Sequence, residues 1–192
     1  MFAPTFQTTI QPTSEPITLD ELKTRLRVSG CDFDNELSDL LIAGRQQVEY
    51  DTYRRLITQT VVMYQEDFIT LMGPLEIRLA PVQSITHVKY WDRDDVLQTY
   101  PATDYYTDLT GTPPEIRLKQ SKQWPNTSLY RPNKVEVQMV VGYGAASAVP
   151  RAAKLAIVEY CRAVWDGCEH NTDTYRRLTA SLQWTAYHRC LP

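Results

Sequence analysis

The spacing of apolar residues changes twice along this chain. From residue 17 to 55, apolar residues recur every three or four positions, which is typical of amphipathic helices. From 57 to 142 the period becomes two, and Val, Ile, Thr and Tyr are interrupted by Gly, Pro and Asp, which is typical of antiparallel strands. Helical spacing returns after Pro150. The pattern predicts an α+β fold: a helical body of N- and C-terminal helices with an inserted antiparallel β domain.

The changes in period also predict the domain boundaries. Residues 1–16 contain three prolines and no helical period, so we expect an extended N-terminal arm. The helical body is predicted at 17–55 and 150–170, and the β domain at 57–142. Residues 171–192 repeat apolar positions unevenly, so they are predicted to form a weakly helical C-terminal tail.

Local signals place the ends of the helices. Thr18 and Glu21 have the spacing of a capping box, and Asp34 is a candidate N-cap of the second helix. Pro150 suits the start of the third helix, since a first-turn N–H has no intrahelical partner. Gly167 is predicted to end or bend that helix.

The length and the net charge of the chain exclude some classes of protein. A chain of 192 residues fits one domain with an insertion. It has 20 Lys and Arg against 23 Asp and Glu, a net charge of -3, which argues against tight gripping of duplex DNA. Its apolar runs are shorter than a membrane helix requires, and its N-terminus lacks the features of a signal peptide. We therefore expect synthesis in a cytoplasm and no membrane partner.

The stretch "VVGYGAASAVPRAAK", from Val140 to Lys154, raises the possibility of a phosphate-binding turn. A dinucleotide loop would have a third glycine where Ser147 stands, and a P-loop would have Gly-Lys-Ser or Gly-Lys-Thr where this chain has Val-Pro-Arg. The residues instead predict a plain connection between a strand and a helix.

The cysteines suggest one candidate metal site. Cys168 and His170 with His188 and Cys190 could supply four zinc ligands. Structural zinc sites usually separate the first two ligands by two to four residues, and the one-residue gap here strains a tetrahedron. Reduced thiols are therefore the expectation.

A second candidate metal site is the acidic cluster near a predicted hairpin tip. Arg93, Asp94 and Asp95 fall there, but the glycine and distant glutamate of a calcium loop are missing. A solvated turn explains these residues, and no metal or cofactor is predicted.

The chain shows few signs of catalysis. The histidines at 87, 170 and 188 are scattered, and His87 lies in a strand pattern. Glu66 and Asp67 are adjacent, so in a strand they would point to opposite faces. No known catalytic motif occurs, and no enzyme is predicted, with a site assembled from distant residues as the alternative.

Several segments together resemble a known family. These are "ITLDELKTRLRV", "LAPVQSITHVKYWDRDDVLQ", "YYTDLTGTPPEIRL" and "VEVQMVVGYGAASAVPRAAKLAIVEYCRAVWD". The more specific parts are Leu79 to Ile85, which contains Ala80-Pro81, and Gly142-Tyr143-Gly144 followed by Pro150. Their order and spacing, over about Ile17 to Asp166, resemble the head-tail connector, or adaptor, family of tailed bacteriophages and prophages.

The resemblance implies a structural virion protein. Such adaptors form a homo-oligomeric ring, usually of twelve subunits, beneath the portal protein, and link the DNA-filled capsid to neck stopper or tail proteins. The chain would be made in the bacterial host cytoplasm, would lie at the head-tail interface of the virion, and would continue the DNA channel. Another neck or tail-completion protein of a phage is the alternative.

Two candidate surfaces follow on the C-terminal side. Arg151, Lys154 and Arg162 fall near one face of the helix after Pro150, and we expect them to line the DNA channel with weak, non-specific contact. The alternative is an ordinary solvated helix face.

The C-terminal part of the resembled adaptors commonly reaches the portal, so the tail is expected to bind the portal. Aromatic residues and arginine dominate interface energies, and in this tail Tyr175, Arg176, Arg177, Trp184, Tyr187 and Arg189 are the candidates. The alternative is that Tyr175, Leu178 and Leu182 close the protein's own core.

Overall fold

The computed structural model describes residues 4–68, 73–169 and 172–183. Its strands are β1 (Thr5–Ile10), β2 (Gln59–Gln65), β3 (Leu75–Glu76), β4 (Val82–Trp91), β5 (Leu97–Tyr100), β6 (Tyr105–Asp108), β7 (Glu115–Leu118) and β8 (Val135–Val141). Its α-helices are α1 (Leu19–Leu26), α2 (Asp34–Thr52), α3 (Arg151–Trp165) and α4 (Asp173–Ala180). The predicted α+β class is confirmed.

The chain divides into two compact units. The β unit comprises the described parts of Met1–Gln11 and Gln59–Gly142, and the helical unit comprises those of Pro12–Thr58 and Tyr143–Pro192. Each has its own apolar core. None of the helices in the described ranges has both the length and the apolar character needed to cross a bilayer.

The β unit contains two antiparallel sheets. One has five strands in the order β1-β2-β8-β4-β5, and the other has three in the order β3-β7-β6. In β8 every second side chain, from Val135 to Val141, is buried, as the alternation of a sheet with one core face requires. Phe68 stacks on Trp124 at 4.6 Å between ring centroids, and both contribute to the core of this unit.

The N-terminal segment belongs to the sheet instead of standing apart as an arm. Thr5–Ile10 is extended, as predicted, but it pairs with β2 in a register that joins Thr5 to Tyr64 and Thr8 to Val61. The register shifts between Thr8 and Ile10. The sequence did not indicate this pairing because the partner strand lies about fifty residues away and β1 lacks a strict alternation of apolar and polar residues.

Helix starts in the helical unit follow local capping. The Thr18 hydroxyl accepts a hydrogen bond from the Glu21 N–H at 3.1 Å, and the Glu21 carboxylate accepts one from the Thr18 N–H at 2.9 Å, which confirms the capping box. Asp34, predicted as an N-cap, is instead the first residue of α2, and its carboxylate binds Lys23 at 2.6 Å. A carboxylate in the first turn of a helix is also stabilised by the helix dipole.

α2 and α3 pack closely in the core of the helical unit. A Cβ added to Gly44 would lie 3.1 Å from the Cys161 Sγ and 3.3 Å from Ile157, so glycine at this position lets the two helices approach. Burial raises the pKa of the Cys161 thiol to about 12. This cysteine is therefore a core residue, held as a neutral thiol.

A buried ionic cluster joins α2 to its flanking segments. Arg45 donates from Nε to Glu15 at 2.8 Å and from Nη1 to Glu49 at 3.3 Å. Glu49 also accepts the Leu56 N–H at 2.8 Å. Arg45 and Glu49 are each only 4% exposed, so their charges depend on one another for compensation.

Candidate interaction surfaces

The predicted connection between strand and helix lies between β8 and α3. Gly142 and Gly144 have φ values of 118° and 111°, a region of backbone space that favours glycine. The Tyr143 N–H donates to the Leu56 carbonyl at 3.2 Å, and the Gly144 carbonyl accepts from the Thr58 N–H at 3.3 Å. The two glycines therefore allow the backbone to turn between β8 and α3.

α1 and the start of α3 border an open groove of about 600 Å³. Its floor is apolar, with Ile17, Val149 and Val158 all largely buried. Arg151 and Lys154, two of the three residues predicted to face DNA, line this groove.

The charges around this groove are mixed. Arg151 and Lys154 share it with Arg25, and the two acidic residues Asp20 and Glu21 also line it. Neither Arg151 nor Lys154 forms an ion pair with any other described residue. The groove therefore has two available cations next to nearby carboxylates, which limits its net positive field.

Arg162, the third predicted DNA-facing residue, lies on the same helix but is already engaged. It forms an ion pair with Glu159 at 3.1 Å and a longer bond, 3.4 Å, to the Arg25 carbonyl. Its side chain remains 45% exposed. The three residues thus lie along one helix, but their local environments differ.

α4 is fixed to the end of α2 by polar contacts. The Thr172 hydroxyl caps the helix by accepting the Tyr175 N–H at 3.2 Å. The Tyr175 hydroxyl donates to the Asp51 carboxylate at 2.6 Å, and Gln183 donates to the Asp51 carbonyl at 3.0 Å. Arg54 adds a bond to the carbonyl of Leu182.

Tyr175 itself is a core residue of the helical unit. It is 2% exposed, and Leu182 is 6% exposed in the same cluster. Burial raises the pKa of the Tyr175 phenol, and the hydrogen bond to the negatively charged Asp51 raises it further. This placement supports the alternative in which Tyr175 and Leu182 close the protein's own core, because a buried ring has no surface to offer a partner.

The arginines of α4 lie on its outer side. Arg176 and Arg177 are exposed, and Arg176 lies 4.0 Å from Asp173. Trp184, Tyr187 and Arg189, the other predicted portal-binding residues, lie outside the described residues. Within the described part of the tail, Arg176 and Arg177 are therefore the candidates for partner contact.

The structure describes only part of the candidate zinc site. Of the four candidate zinc ligands only Cys168 is described, and it is exposed. His170, His188 and Cys190 lie outside the described residues. Among the residues that are described, no three Asp, Glu, His or Cys side chains are grouped as metal ligands would be.

The acidic hairpin tip is built as a turn. The Asp92 carboxylate accepts hydrogen bonds from the Val96 N–H at 2.9 Å, the Gln98 side-chain amide at 2.8 Å and the Asp94 N–H at 3.0 Å, and these bonds lower its pKa. Asp95 pairs with Arg131 at 3.1 Å. His87 lies on a strand, 3.3 Å from Glu136 on the neighbouring strand, which is an ordinary position for a half-buried polar residue.

The structure also shows an apolar surface that was not predicted from the sequence. Leu129 is 73% exposed and Tyr130 95% exposed. Their loop is nevertheless anchored: the Ser128 N–H donates to the Trp91 carbonyl at 2.9 Å, and the Arg131 guanidinium lies 3.4 Å from the centre of the Trp91 ring. An apolar Leu-Tyr pair among the polar and proline residues of this loop was the available signal.

Comparisons with known proteins identify relatives of the fold. No protein-family model matches the chain, and no curated protein matches it. A chain in the neck of an empty gene transfer agent particle, determined with C6 symmetry, aligns over 93% of this chain and 95% of its own length, with 16% identity and a TM-score of 0.73. A chain in the virion of the native particle aligns over 93% and 94%, with 17% identity and a TM-score of 0.70.

A third structure, the neck of the native particle determined with C12 symmetry, contains a chain that aligns over 95% of both lengths, with 19% identity and a TM-score of 0.68. This chain has the fold of those gene transfer agent proteins. The similarity extends over both units, and the fold agrees with the resemblance to head-tail connectors seen in the sequence.

Proposed function

We propose that this chain is a structural neck protein of a phage-like virion, a head-tail connector that forms a ring beneath the portal. The ring links the DNA-filled capsid to the tail machinery and continues the channel through which DNA passes. The observation that carries this proposal is the fold shared with gene transfer agent neck chains over 93–95% of both lengths. The rotational symmetry of those necks supports a ring, and the C12 symmetry of one of them supports twelve copies.

The role is structural and not enzymatic. In this proposal the chain is made in the cytoplasm of the bacterial host and then joins the virion, without a cofactor or a membrane partner. The helical unit is the connector body, and Gln59–Gly142 of the β unit is the part inserted between its two halves. The portal lies on one side of the ring, and neck stopper or tail proteins lie on the other.

We assign attachment to the portal to the C-terminal tail. Tyr175 contributes indirectly, because its bond to Asp51 holds α4 against α2. Arg176 and Arg177 are exposed on the outer side of α4, where their positive charges can contact the portal. Arginines that are presented on a fixed helix suit an interface, because less side-chain and backbone freedom is lost on binding. Trp184, Tyr187 and Arg189 follow on the same tail and complete the proposed contact.

We assign the DNA-facing role to the α3 side of the helical unit. Arg151 and Lys154 lie at the groove without ion partners among the described residues, and Arg162 follows on the same helix. The acids Asp20 and Glu21 beside them weaken the local positive field. Such a surface lets duplex DNA pass without tight or sequence-specific binding.

Two matched charge reversals test these assignments. Arg176→Glu with Arg177→Glu changes the tail, and Arg151→Glu with Lys154→Glu changes the groove by the same number of charges. We expect the tail variant to fold normally and to lose at least about tenfold in binding to portal-bearing capsids, about 1.4 kcal/mol. The groove variant should bind capsids as the unchanged protein does but should impair DNA retention or passage. Co-sedimentation with capsids, electron microscopy and a DNA-release assay measure these effects.

Deletion of the tail is a poorer test, because it would also remove the core residues Tyr175 and Leu182. Normal capsid binding by the tail variant would overturn the portal assignment. Sequence-specific, salt-resistant DNA binding by the unchanged protein would overturn the channel assignment. Particles whose necks lack this chain would overturn the proposed function itself.

A further inference from the structure

The two outer edges of the five-stranded sheet are open in the described chain. β1 pairs only with β2, and β5 pairs only with β4. Among the described residues, no backbone hydrogen bond reaches the outer side of either strand. Each edge therefore presents backbone donors and acceptors that another strand can use.

These two edges also lack the charged residues that protect many sheet edges. Neither β1, with the sequence TFQTTI, nor β5, with the sequence LQTY, contains a charged residue. The edges of the three-stranded sheet differ: β3 carries Glu76 and β6 carries Asp108. Because charges on an edge discourage pairing with other chains, the uncharged edges of the larger sheet are the ones suited to it.

The two edges match in length and in direction. The regular part of β1 is Thr5 to Thr8, before its register shifts, and β5 has four residues. Four successive antiparallel pairings separate β1 from β5, so the two strands run in the same direction. Rotation about a ring axis preserves the direction of a strand along that axis. A β5 edge would therefore meet the β1 edge of the next copy as a parallel pair.

On the β1 side, the register shows which side chains lie on which face of the sheet. Phe6 and Thr8 pair with Met63 and Val61, which belong to the core. Gln7 therefore lies on the opposite, outer face, because successive side chains of a strand alternate.

On the β5 side, Tyr100 pairs with Val88 in the core, so Thr99, which pairs with Lys89, lies on the outer face. Gln7 and Thr99 thus lie on the same face of one sheet. They would remain on the same face if the sheet continued from one copy into the next.

The apolar surface beside β5 adds contact area to this edge. Val96 and Leu97 are exposed at the start of the strand, and the anchored loop carries the exposed Leu129 and Tyr130. Arg93, Asp95, Leu129 and Tyr130 border one shallow cavity, which places the loop next to the β4–β5 hairpin. Apolar and tyrosine side chains on an anchored loop are typical of residues that stabilise an interface.

We infer that β5 of one copy pairs in parallel with β1 of the next copy, so that the five-stranded sheets continue around the ring. The inference rests on the ring of the proposed function and adds the surface that closes it. A cyclic ring requires two different, complementary surfaces on each copy, and the opposite edges of one sheet supply them. The partner is therefore a second copy of this chain.

Cysteine cross-linking in assembled particles tests this contact. All test variants are made in a protein in which Cys31, Cys168 and Cys190 are replaced with serine and the buried Cys161 is kept. The test variant combines Gln7→Cys with Thr99→Cys, and a second variant, Thr5→Cys with Thr99→Cys, allows for a register two residues away. Neighbouring strands are about 4.8 Å apart, within the range that a disulfide can bridge.

After mild oxidation we expect one of these two double variants to give a ladder of covalent multimers, up to the full ring, on a non-reducing gel. The matched control is Thr8→Cys with Thr99→Cys, whose cysteines lie on opposite faces, and it should cross-link at least about tenfold less, because the thiols point apart. Each single variant should remain monomeric, since the contact joins two different edges.

The outcomes separate this inference from the proposed function. A ring seen by electron microscopy without any ladder would overturn the edge contact and leave the proposed function standing. Dimers from a single variant, or equal cross-linking of the opposite-face control, would also overturn the contact. Particles without a ring of this chain would overturn both.

Discussion

α3 and α4 both contain arginine and aromatic residues, but the structure places these residues differently. In α4 the aromatic residue Tyr175 lies in the core and is bonded to Asp51, while the arginines remain outside. In α3 the core side consists of small and aliphatic residues, and the basic residues lie at an open groove. The comparison shows that an aromatic residue among arginines is not by itself a sign of an interface.

The buried aromatic side chain of Tyr175 is the largest difference between the two helices. Tyr175→Ala removes a core aromatic side chain and its bond to Asp51, so we expect the free energy of unfolding to fall by about 3–5 kcal/mol. Urea unfolding followed by circular dichroism measures it. A loss below about 1 kcal/mol would mean that α4 is not held as the structure shows.

The hydroxyl of Tyr175 provides a finer test. Tyr175→Phe keeps the ring but removes the hydrogen bond to a charged acceptor, so we expect a loss of about 1.5–3 kcal/mol near neutral pH.

The same variant should alter the dependence of stability on alkaline pH. The folded state raises the pKa of the Tyr175 phenol, so the unfolded chain releases this proton first as the pH rises past about 10. The stabilisation is therefore complete below that pH and declines above it. Between pH 10 and 11 the unchanged protein should lose up to about 1.4 kcal/mol more than Tyr175→Phe, until the folded phenol also ionises. Parallel stability curves for the two proteins over this range would contradict the raised pKa.

The smallest effect is expected on α3. Arg162→Ala removes an exposed ion pair with Glu159, and such pairs contribute little, so stability should change by no more than about 0.5 kcal/mol. The same unfolding measurement checks it. A loss comparable to that of Tyr175→Phe would show that the basic side of α3 is structural, and it would remove the contrast between the helices.

Part of the candidate surfaces was predictable from the sequence. The run Arg151 to Arg162 has helical spacing, so its basic residues could be placed along one helix before the structure was known. The sequence did not predict which of these basic side chains already bond to other groups of the protein. Arg162 bonds to Glu159 and to the Arg25 carbonyl, and the latter lies on α1, more than a hundred residues earlier in the chain.

Tyr175 and β1 also have tertiary contacts that the sequence does not predict. Tyr175 fits both a core and an interface by residue type, and only its contact with Asp51, 124 residues away, decides between them. The β1 segment is extended by its own composition, but its place at a sheet edge depends on pairing with β2. The sequence marks Leu129 and Tyr130 as an apolar pair in a polar loop, but a loop without periodicity does not show which side chains face outward, so their exposure was not predicted.

The sequence by itself determined which regions after residue 17 are helical and which are β, the capping box at Thr18 and the α+β class. These depend on hydrophobic period and on bonds between residues three or four apart, so local physics is sufficient for them. The tertiary structure alone decided which aromatic residues are buried, which cations are paired and which sheet edges stay open. Apart from ion pairs within one helix, such as Arg162 with Glu159, those properties arise from contacts between segments far apart in the chain, and no local pattern specifies the partner.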